Sequence, residues 1–200
     1  ILKLFFDFKI KESFDIEQRF NIKLLGKFID TDDKDIVKEN KMNFITGFMK
    51  TMKDKKIALI TSDVSNTGKT DIVDLLTYFC SNTKQKVLYI ETVNESTTEI
   101  ENQIIDSSKN LNINFRSVNI LNENIHKMYI LDDELNDYYL ANINTTEKLF
   151  SDLKKSDYDL VLLEIPSFER SSFLFNTFVP SSGFFSEYFA IFLISSTFFS

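Results

Sequence analysis

Short apolar segments alternate with amphipathic segments along most of this chain, and the alternation limits the folds that it can adopt. Four runs rich in branched apolar residues predict buried strands: residues 56–62, 86–91, 158–164 and 188–194. The segments between them repeat apolar residues at three- and four-residue steps, which is typical of helices with one buried face. We therefore predict a three-layer α/β fold with a mainly parallel sheet and helices on both faces.

The same spacing places the helices and the weaker extended segments. Helices are predicted for residues 35–53, 69–81, 96–109 and 146–155, and short extended segments for 113–120 and 128–131. The first of these helices carries an apolar stripe: Phe44, Ile45, Phe48, Met49 and Met52. Cys80 ends the apolar face of the second helix, and we interpret it as a small core residue.

Composition excludes several classes of protein. The 200 residues include 4 Gly, 2 Pro and 21 Phe, which excludes collagen-like, linker-like and low-complexity chains. A net charge of −7 argues against a nucleic-acid partner, because nucleic acids are held through Lys and Arg contacts to phosphate. A single cysteine excludes an internal disulfide and indicates a reducing compartment. One cysteine and one histidine, His126, are too few for an ordinary zinc site. We expect His126 to lie on the surface rather than act as a base.

The segment with the clearest chemistry lies between the first strand and the helix that follows it. Residues 62–70 end in Gly68-Lys69-Thr70 and match the second half of the phosphate-binding pattern G-x-x-x-x-G-K-[ST]. Gly68 would let the backbone approach a phosphate, and N–H groups at the helix start would bind phosphate oxygens. Lys69 would reach the β- and γ-phosphates of ATP or ADP, and the Thr70 hydroxyl would ligate Mg²⁺. The predicted nucleotide-binding residues are Asn66, Thr67, Gly68, Lys69 and Thr70.

This motif is incomplete, and a second interpretation stays open. Asp63 stands where the pattern has its first glycine, and its charge would repel phosphate. The alternative is an ordinary strand-to-helix turn in which Lys69 is a surface lysine.

Two carboxylates end the neighbouring strands of the predicted sheet. Glu91 ends the second strand and Glu164 the third, and parallel sheets bind ligands at the carboxyl ends of their strands. We therefore predict that Lys69, Glu91 and Glu164 are catalytic residues and that Thr70, Glu91 and Glu164 ligate a metal. The alternative is that each glutamate is a solvent-facing strand end.

The order of these segments resembles the cytoplasmic domain of bacterial capsular and exopolysaccharide co-polymerases, which are chain-length determinant proteins with a tyrosine-kinase-like P-loop ATPase domain. The resemblance covers about residues 10–170. The matching segments are the post-membrane segment at 14–26, the Walker A region at 57–70, the Walker A′ strand at 87–91 and the Walker B strand at 158–166. The resemblance implies a P-loop NTPase-like fold, with residues 1–33 as a juxtamembrane lead-in and 34–200 as the nucleotide-binding domain.

Several residues depart from the family's pattern. The Walker A′ D-x-D is Glu91 followed by Val93, and the Walker B aspartate is Glu164, so each carboxylate is one methylene further out. The arginines of the family's inter-subunit helix are absent, since Met42 and Ile45 stand at their spacing from Glu39. Because position matters in phosphoryl transfer, we expect a degenerate member with weakened catalysis.

The resemblance gives three possible functions. The first is a nucleotide-binding regulatory domain for polysaccharide chain-length control and export, at the cytoplasmic face of the bacterial inner membrane. The second is an active ATP-dependent tyrosine autokinase, and the third is a nucleotide-free assembly scaffold. The implied partners are further copies of the chain, the polysaccharide polymerase and export machinery, and the membrane. Membrane contact would use segments outside these residues, because no run of about 20 apolar residues is present. The chain begins at Ile1 without a methionine, so we expect a piece of a longer protein.

Overall fold

A computed structural model describes residues 31–62, 68–95, 104–105, 119–121, 123–133, 135, 143–165, 167 and 189–194. The helices are α1 (Lys34–Met52), α2 (Lys69–Asn82) and α3 (Ile143–Lys155). The strands are β1 (Ile57–Ser62), β2 (Val87–Val93), β3 (Ile104–Ile105), β4 (Asn119–Ile120), β5 (Ile125–Leu131), β6 (Leu160–Glu164) and β7 (Phe189–Ile194). Helix α1 as far as Lys50 belongs to one compact unit, and residues Thr51–Ile194 form a second.

Helix α1 starts at a side-chain cap. The carboxylate of Asp33 accepts hydrogen bonds from the backbone N–H groups of Asp35 at 2.9 Å and Ile36 at 3.4 Å, which satisfies two donors that the first turn leaves unpaired. Further along, Phe44 and Phe48 stack at 6.3 Å between ring centroids and are buried. The predicted apolar stripe of this helix is therefore its buried side.

The second unit is built on a mainly parallel sheet with the order β3-β5-β2-β6-β1-β7. The central pairs β1–β6, β1–β7, β2–β5 and β2–β6 are all parallel, and β4 adds one antiparallel pair at β5. Strands β1 and β6 are buried along their whole length, which explains why they read as continuous apolar runs instead of an alternating pattern. The predicted α/β class with a mainly parallel sheet is confirmed.

Helices α2 and α3 cover opposite faces of this sheet. The connection from β1 to β2 passes over β6, while the connection from β5 to β6 passes over β2 in the opposite direction. Since parallel crossovers are right-handed, opposite directions put their helices on opposite faces. The face under α3 forms a buried core with side chains from four strands: Ile57, Leu59, Leu88, Ile90, Met128, Ile130, Val161 and Leu163 pack with Leu149, Phe150 and Leu153. The other face carries the polar groups described below.

Three predicted elements differ from the structure by three residues or more. Strand β5 starts at Ile125, three residues before the predicted start at 128. Helix α3 starts at Ile143, three residues before the predicted start at 146. The prediction of a helix over 96–109 is wrong at Ile104 and Ile105, which form strand β3 opposite Tyr129 and Ile130. Both are β-branched residues that fit a pleated surface, and pairing with the sheet outweighs the local helical spacing.

Candidate nucleotide-binding site

The candidate site lies where strands β1, β2 and β6 end at one edge of the sheet. Strand β1 ends at Ser62, and helix α2 starts at Lys69 directly after Gly68. Gly68 has φ 79° and ψ 23°, a left-handed conformation that costs other residues roughly 1 kcal/mol or more. The glycine of the sequence motif therefore stands at a position whose backbone requires it.

The ammonium group of Lys69 is turned toward the end of strand β6. Its Nζ lies 3.3 Å from Oε1 of Glu164 and donates a 3.1 Å hydrogen bond to the carbonyl oxygen of Ile165. The side chain of Lys69 is 15% exposed and that of Glu164 12% exposed. The alternatives of a surface lysine and of a solvent-facing Glu164 are therefore wrong, because the two groups form a largely buried ion pair.

Glu164 is held at both carboxylate oxygens. While Oε1 faces Lys69, Oε2 accepts a 2.6 Å hydrogen bond from the Tyr89 hydroxyl on the neighbouring strand β2. The backbone is fixed as well, since the Thr92 hydroxyl donates to the Glu164 carbonyl. Burial raises the pKa of Tyr89 well above its usual range, and the charge of Glu164 raises it further. The Tyr89 hydroxyl thus keeps its proton and remains a donor to the carboxylate.

Glu91 is paired with a residue that no sequence motif identifies. Lys127 of strand β5 forms a close ion pair with the Glu91 carboxylate, and its Nζ lies 5.0 Å from the ring centroids of both Tyr89 and Tyr129. Burial lowers the pKa of Lys127, but its hydrogen bond to Glu91 and the charge of that carboxylate outweigh burial and raise it. Lys127 therefore remains a cation, enclosed between two aromatic faces and a carboxylate.

The predicted site residues are brought together only in part. Gly68, Lys69 and Glu164 meet at the start of α2, and Glu91 lies on the same face of the sheet but contacts Lys127. Thr70 is exposed in the first turn of α2. Asp63, Asn66 and Thr67 lie outside the described residues, so their predicted roles stay predictions.

The donor groups present do not fit a divalent cation as they stand. Both carboxylates predicted to ligate Mg²⁺ are engaged by lysine ammonium groups, Glu164 by Lys69 and Glu91 by Lys127. Among the residues that the structure describes, no group of three or more His, Cys, Asp or Glu side chains is placed to hold a metal. Mg²⁺ prefers several oxygen ligands in near-ideal octahedral geometry, and an ammonium group in contact with a carboxylate competes for those oxygens.

Tyr89, Thr92 and Lys127 are the residues that sequence reasoning missed. A signal for Tyr89 existed: it stands two residues before Glu91 in one strand, so both side chains point to the same face. Lys127 gave no such signal, because its position follows from the register Tyr89↔Lys127 between β2 and β5. That register cannot be read from either strand alone.

The structure also tests the predicted positions of Cys80 and His126. Cys80 is fully buried, as predicted for a core residue, and burial raises the pKa of its thiol to about 11. The expectation that His126 lies on the surface is met only in part: it is half-buried in strand β5, and its Nδ1 lies 2.8 Å from the Tyr158 hydroxyl. Burial lowers the pKa of His126, and the positive charge of Lys86 lowers it further. In the described part of the chain, the helices are too short or too polar to cross a membrane.

Comparison with known proteins gives similarity in fold alone. No protein-family model and no curated protein matches this sequence. Among solved structures, the BceF tyrosine kinase domain matches with a TM-score of 0.55 at 15% identity, over 80% of this chain and 77% of that chain. The chimerical protein CapA2B2 matches with a TM-score of 0.59 at 14% identity, over 91% of this chain and 85% of that chain. This chain therefore has the fold of a bacterial tyrosine kinase domain, as the order of its segments predicted.

Proposed function

We propose that this chain is a nucleotide-binding regulatory domain of a protein for exopolysaccharide or capsule export, and that ATP or ADP binds at the start of helix α2. The observation that carries the proposal is the placement of Lys69. It follows a left-handed glycine at a helix start, and its ammonium group lies at the carboxyl edge of the sheet beside Glu164. Helix starts attract phosphate through their unpaired N–H groups and dipole, and a lysine at this point adds a full charge.

Binding would require Lys69 to exchange partners. In the structure its Nζ is shared between the Glu164 carboxylate and the Ile165 carbonyl. A phosphate group would take up the ammonium and leave Glu164 with its hydrogen bond from Tyr89. Nucleotide binding would thereby break a buried ion pair between helix α2 and strand β6. Through this change, bound nucleotide would affect the assembly of the chain with its partners.

The runner-up is an active ATP-dependent tyrosine autokinase, and the likeness in fold to the BceF tyrosine kinase domain favours it. Against it stands the pairing of both candidate catalytic carboxylates with lysines, because a carboxylate in an ion pair is a poor base or metal ligand. The setting of the proposal, at the cytoplasmic face of the bacterial inner membrane among further copies of the chain and the export machinery, is supported by the resemblance in sequence alone.

Isothermal titration calorimetry of the purified chain with ATP and with ADP tests the proposal. We expect both to bind, and Lys69→Ala to weaken binding by about 10-fold or more, because a lysine–phosphate contact contributes roughly 1.5–3 kcal/mol. Lys155→Ala is the matched control, since Lys155 is an exposed lysine in the last turn of α3. Absence of binding would leave the scaffold as the function.

Incubation with ATP followed by detection of phosphotyrosine separates the first two functions. The regulatory domain binds ATP and accumulates no phosphotyrosine, whereas the autokinase accumulates it in a Lys69-dependent manner. A Lys69→Ala sample gives the background in both cases.

A further inference from the structure

Five side chains form a continuous row of contacts on the face of the sheet away from α3. In order they are Lys69, Glu164, Tyr89, Lys127 and Glu91. The two ends of the row are ion pairs, and Tyr89 joins them: its hydroxyl donates to Glu164, and its ring face lies under the Lys127 ammonium. We call these residues the paired-charge row. It contains two carboxylates and two ammonium groups, so its charges cancel.

The carboxylate of Glu91 stands where a metal ligand is expected, since it lies on β2 beyond the last residue paired with β6 in a sheet that binds ligands at this edge. In the row this carboxylate is instead neutralised by Lys127. A divalent cation at Glu91 would compete with an ammonium group that two tyrosine rings also stabilise, each at 5.0 Å.

Lys127 is held in place more firmly than a surface lysine. Its side chain is 20% exposed, and the hydrogen bond and charge of Glu91 outweigh desolvation and raise its pKa. It therefore carries its charge at neutral pH. A permanent positive charge at this point supplies, from the protein itself, part of the neutralisation that a divalent cation supplies elsewhere.

We propose that Lys127 takes the place of a divalent cation on Glu91, so that this site binds nucleoside di- and triphosphates without depending on Mg²⁺. The inference rests on the proposed nucleotide site and states which form of the ligand that site takes. It assigns Lys127 as a positioning residue: it neutralises Glu91 and keeps that carboxylate from repelling the phosphates.

Calorimetry of the unmodified chain with ATP tests this inference in two buffers, one with excess EDTA and one with excess Mg²⁺. We expect the two Kd values to agree within about twofold, below the roughly fivefold that marks ordinary coupling between two ligands. Binding that Mg²⁺ tightens by about 10-fold or more overturns the inference and leaves the nucleotide site standing. Absence of binding in both buffers overturns the nucleotide site and the inference with it, so the two failures are distinguishable.

Substitutions of Lys127 provide the second readout. Lys127→Met frees Glu91, so Mg²⁺ should now tighten ATP binding by about fivefold or more, whereas Lys127→Arg keeps the charge and should stay independent of Mg²⁺. Glu91→Gln should also stay independent, and it remains informative if Lys127→Met does not fold. An ATP affinity of Lys127→Met that Mg²⁺ leaves unchanged contradicts the role given to Lys127. Mg²⁺-stimulated binding in the unmodified chain that Glu91→Gln abolishes contradicts it as well.

Mg²⁺ alone gives a readout that involves no nucleotide. Thermal unfolding of the unmodified chain should not shift when Mg²⁺ replaces EDTA at constant ionic strength, whereas Lys127→Met should be stabilised by Mg²⁺ through mass action. Stabilisation of the unmodified chain by Mg²⁺, together with its loss in Glu91→Gln, would show that the metal reaches Glu91 despite Lys127.

Discussion

The Tyr89 hydroxyl donates a 2.6 Å hydrogen bond to Oε2 of Glu164, joining strands β2 and β6 beside the ammonium group of Lys69. Because Glu164 is largely buried, each of its oxygens needs a partner that replaces water. The Tyr89 hydroxyl is the partner of Oε2, and the Lys69 ammonium group is the partner of Oε1. The contact therefore links the stability of the sheet to the state of the candidate site.

Tyr89→Phe removes this donor and keeps the ring. We expect it to lower the free energy of unfolding by about 1–3 kcal/mol, because it leaves a buried carboxylate oxygen without its hydrogen bond. Urea denaturation at neutral pH measures the loss. Tyr78→Phe is the matched control, since Tyr78 is 72% exposed and should change little.

The difference in stability between the unmodified chain and Tyr89→Phe should also depend on pH in the alkaline range. The pKa of Tyr89 is raised in the folded chain, so its contribution to stability is complete below the unfolded tyrosine value of about 10 and is lost as pH rises above it. The advantage of the unmodified chain over Tyr89→Phe should therefore shrink above pH about 10. A difference that stays constant between neutral and alkaline pH would contradict the assignment.

Glu164→Gln separates stability from binding. It removes the negative charge that holds Lys69, so the unfolding free energy should fall by about 1–3 kcal/mol. Nucleotide affinity should nevertheless rise by about fivefold, since Lys69 no longer has to leave a carboxylate and the phosphates meet one negative charge fewer. Calorimetry with ADP checks this. A loss of affinity in a folded Glu164→Gln variant would mean that the carboxylate contributes to binding, as a metal ligand would.

The pH dependence of stability near neutrality should come from His126. Burial and the charge of Lys86 lower its pKa, so the stability it contributes is present above its unfolded value of about 6.5 and is lost as pH falls below that value. His126→Asn should flatten this part of the profile measured by urea denaturation. Because the chain has one histidine, a single imidazole NMR signal reports the pKa directly. A midpoint above 6.5 would contradict the prediction.

The thiol of Cys80 should be unreactive in the folded chain. Burial raises its pKa to about 11, so at pH 8 roughly one molecule in a thousand carries the reactive thiolate, and the residue has no exposed surface. Labelling with a disulfide reagent should be slow in native buffer and complete in denaturant. Rapid labelling under native conditions would show that α2 opens far more readily than its packing implies.

The central strands can be predicted from the sequence because they are buried on both faces. β1 and β6 each contain an unbroken run of four apolar residues, too short for a typical helix and bounded by polar residues. The start of helix α3 is predicted three residues late because three of its first four residues are polar, although Thr146 among them is fully buried. Strand β3 could not be predicted, since two isoleucines form a strand there through pairing with β5.

The candidate site, too, could be predicted from the sequence only in part. Gly68 and Lys69 follow from a local motif, and Glu164 follows from its place at the end of a strand. The pairing of Lys127 with Glu91 depends on which strands are neighbours and in what register. The consequence for metal binding was therefore not accessible from the sequence, where Glu91 reads as a free carboxylate.

NMR of the backbone at Gly68 shows whether a nucleotide binds at the start of helix α2, because it places the ligand at a named residue. Labelling with ¹³C-carbonyl threonine and ¹⁵N-glycine selects Gly47 and Gly68, the two glycines that follow a threonine, and Gly47→Ala identifies which signal belongs to which. We expect ADP to shift the Gly68 signal in a saturable manner and Lys69→Ala to weaken this response. A Gly68 signal that saturating ADP leaves unchanged would contradict nucleotide binding at the start of helix α2.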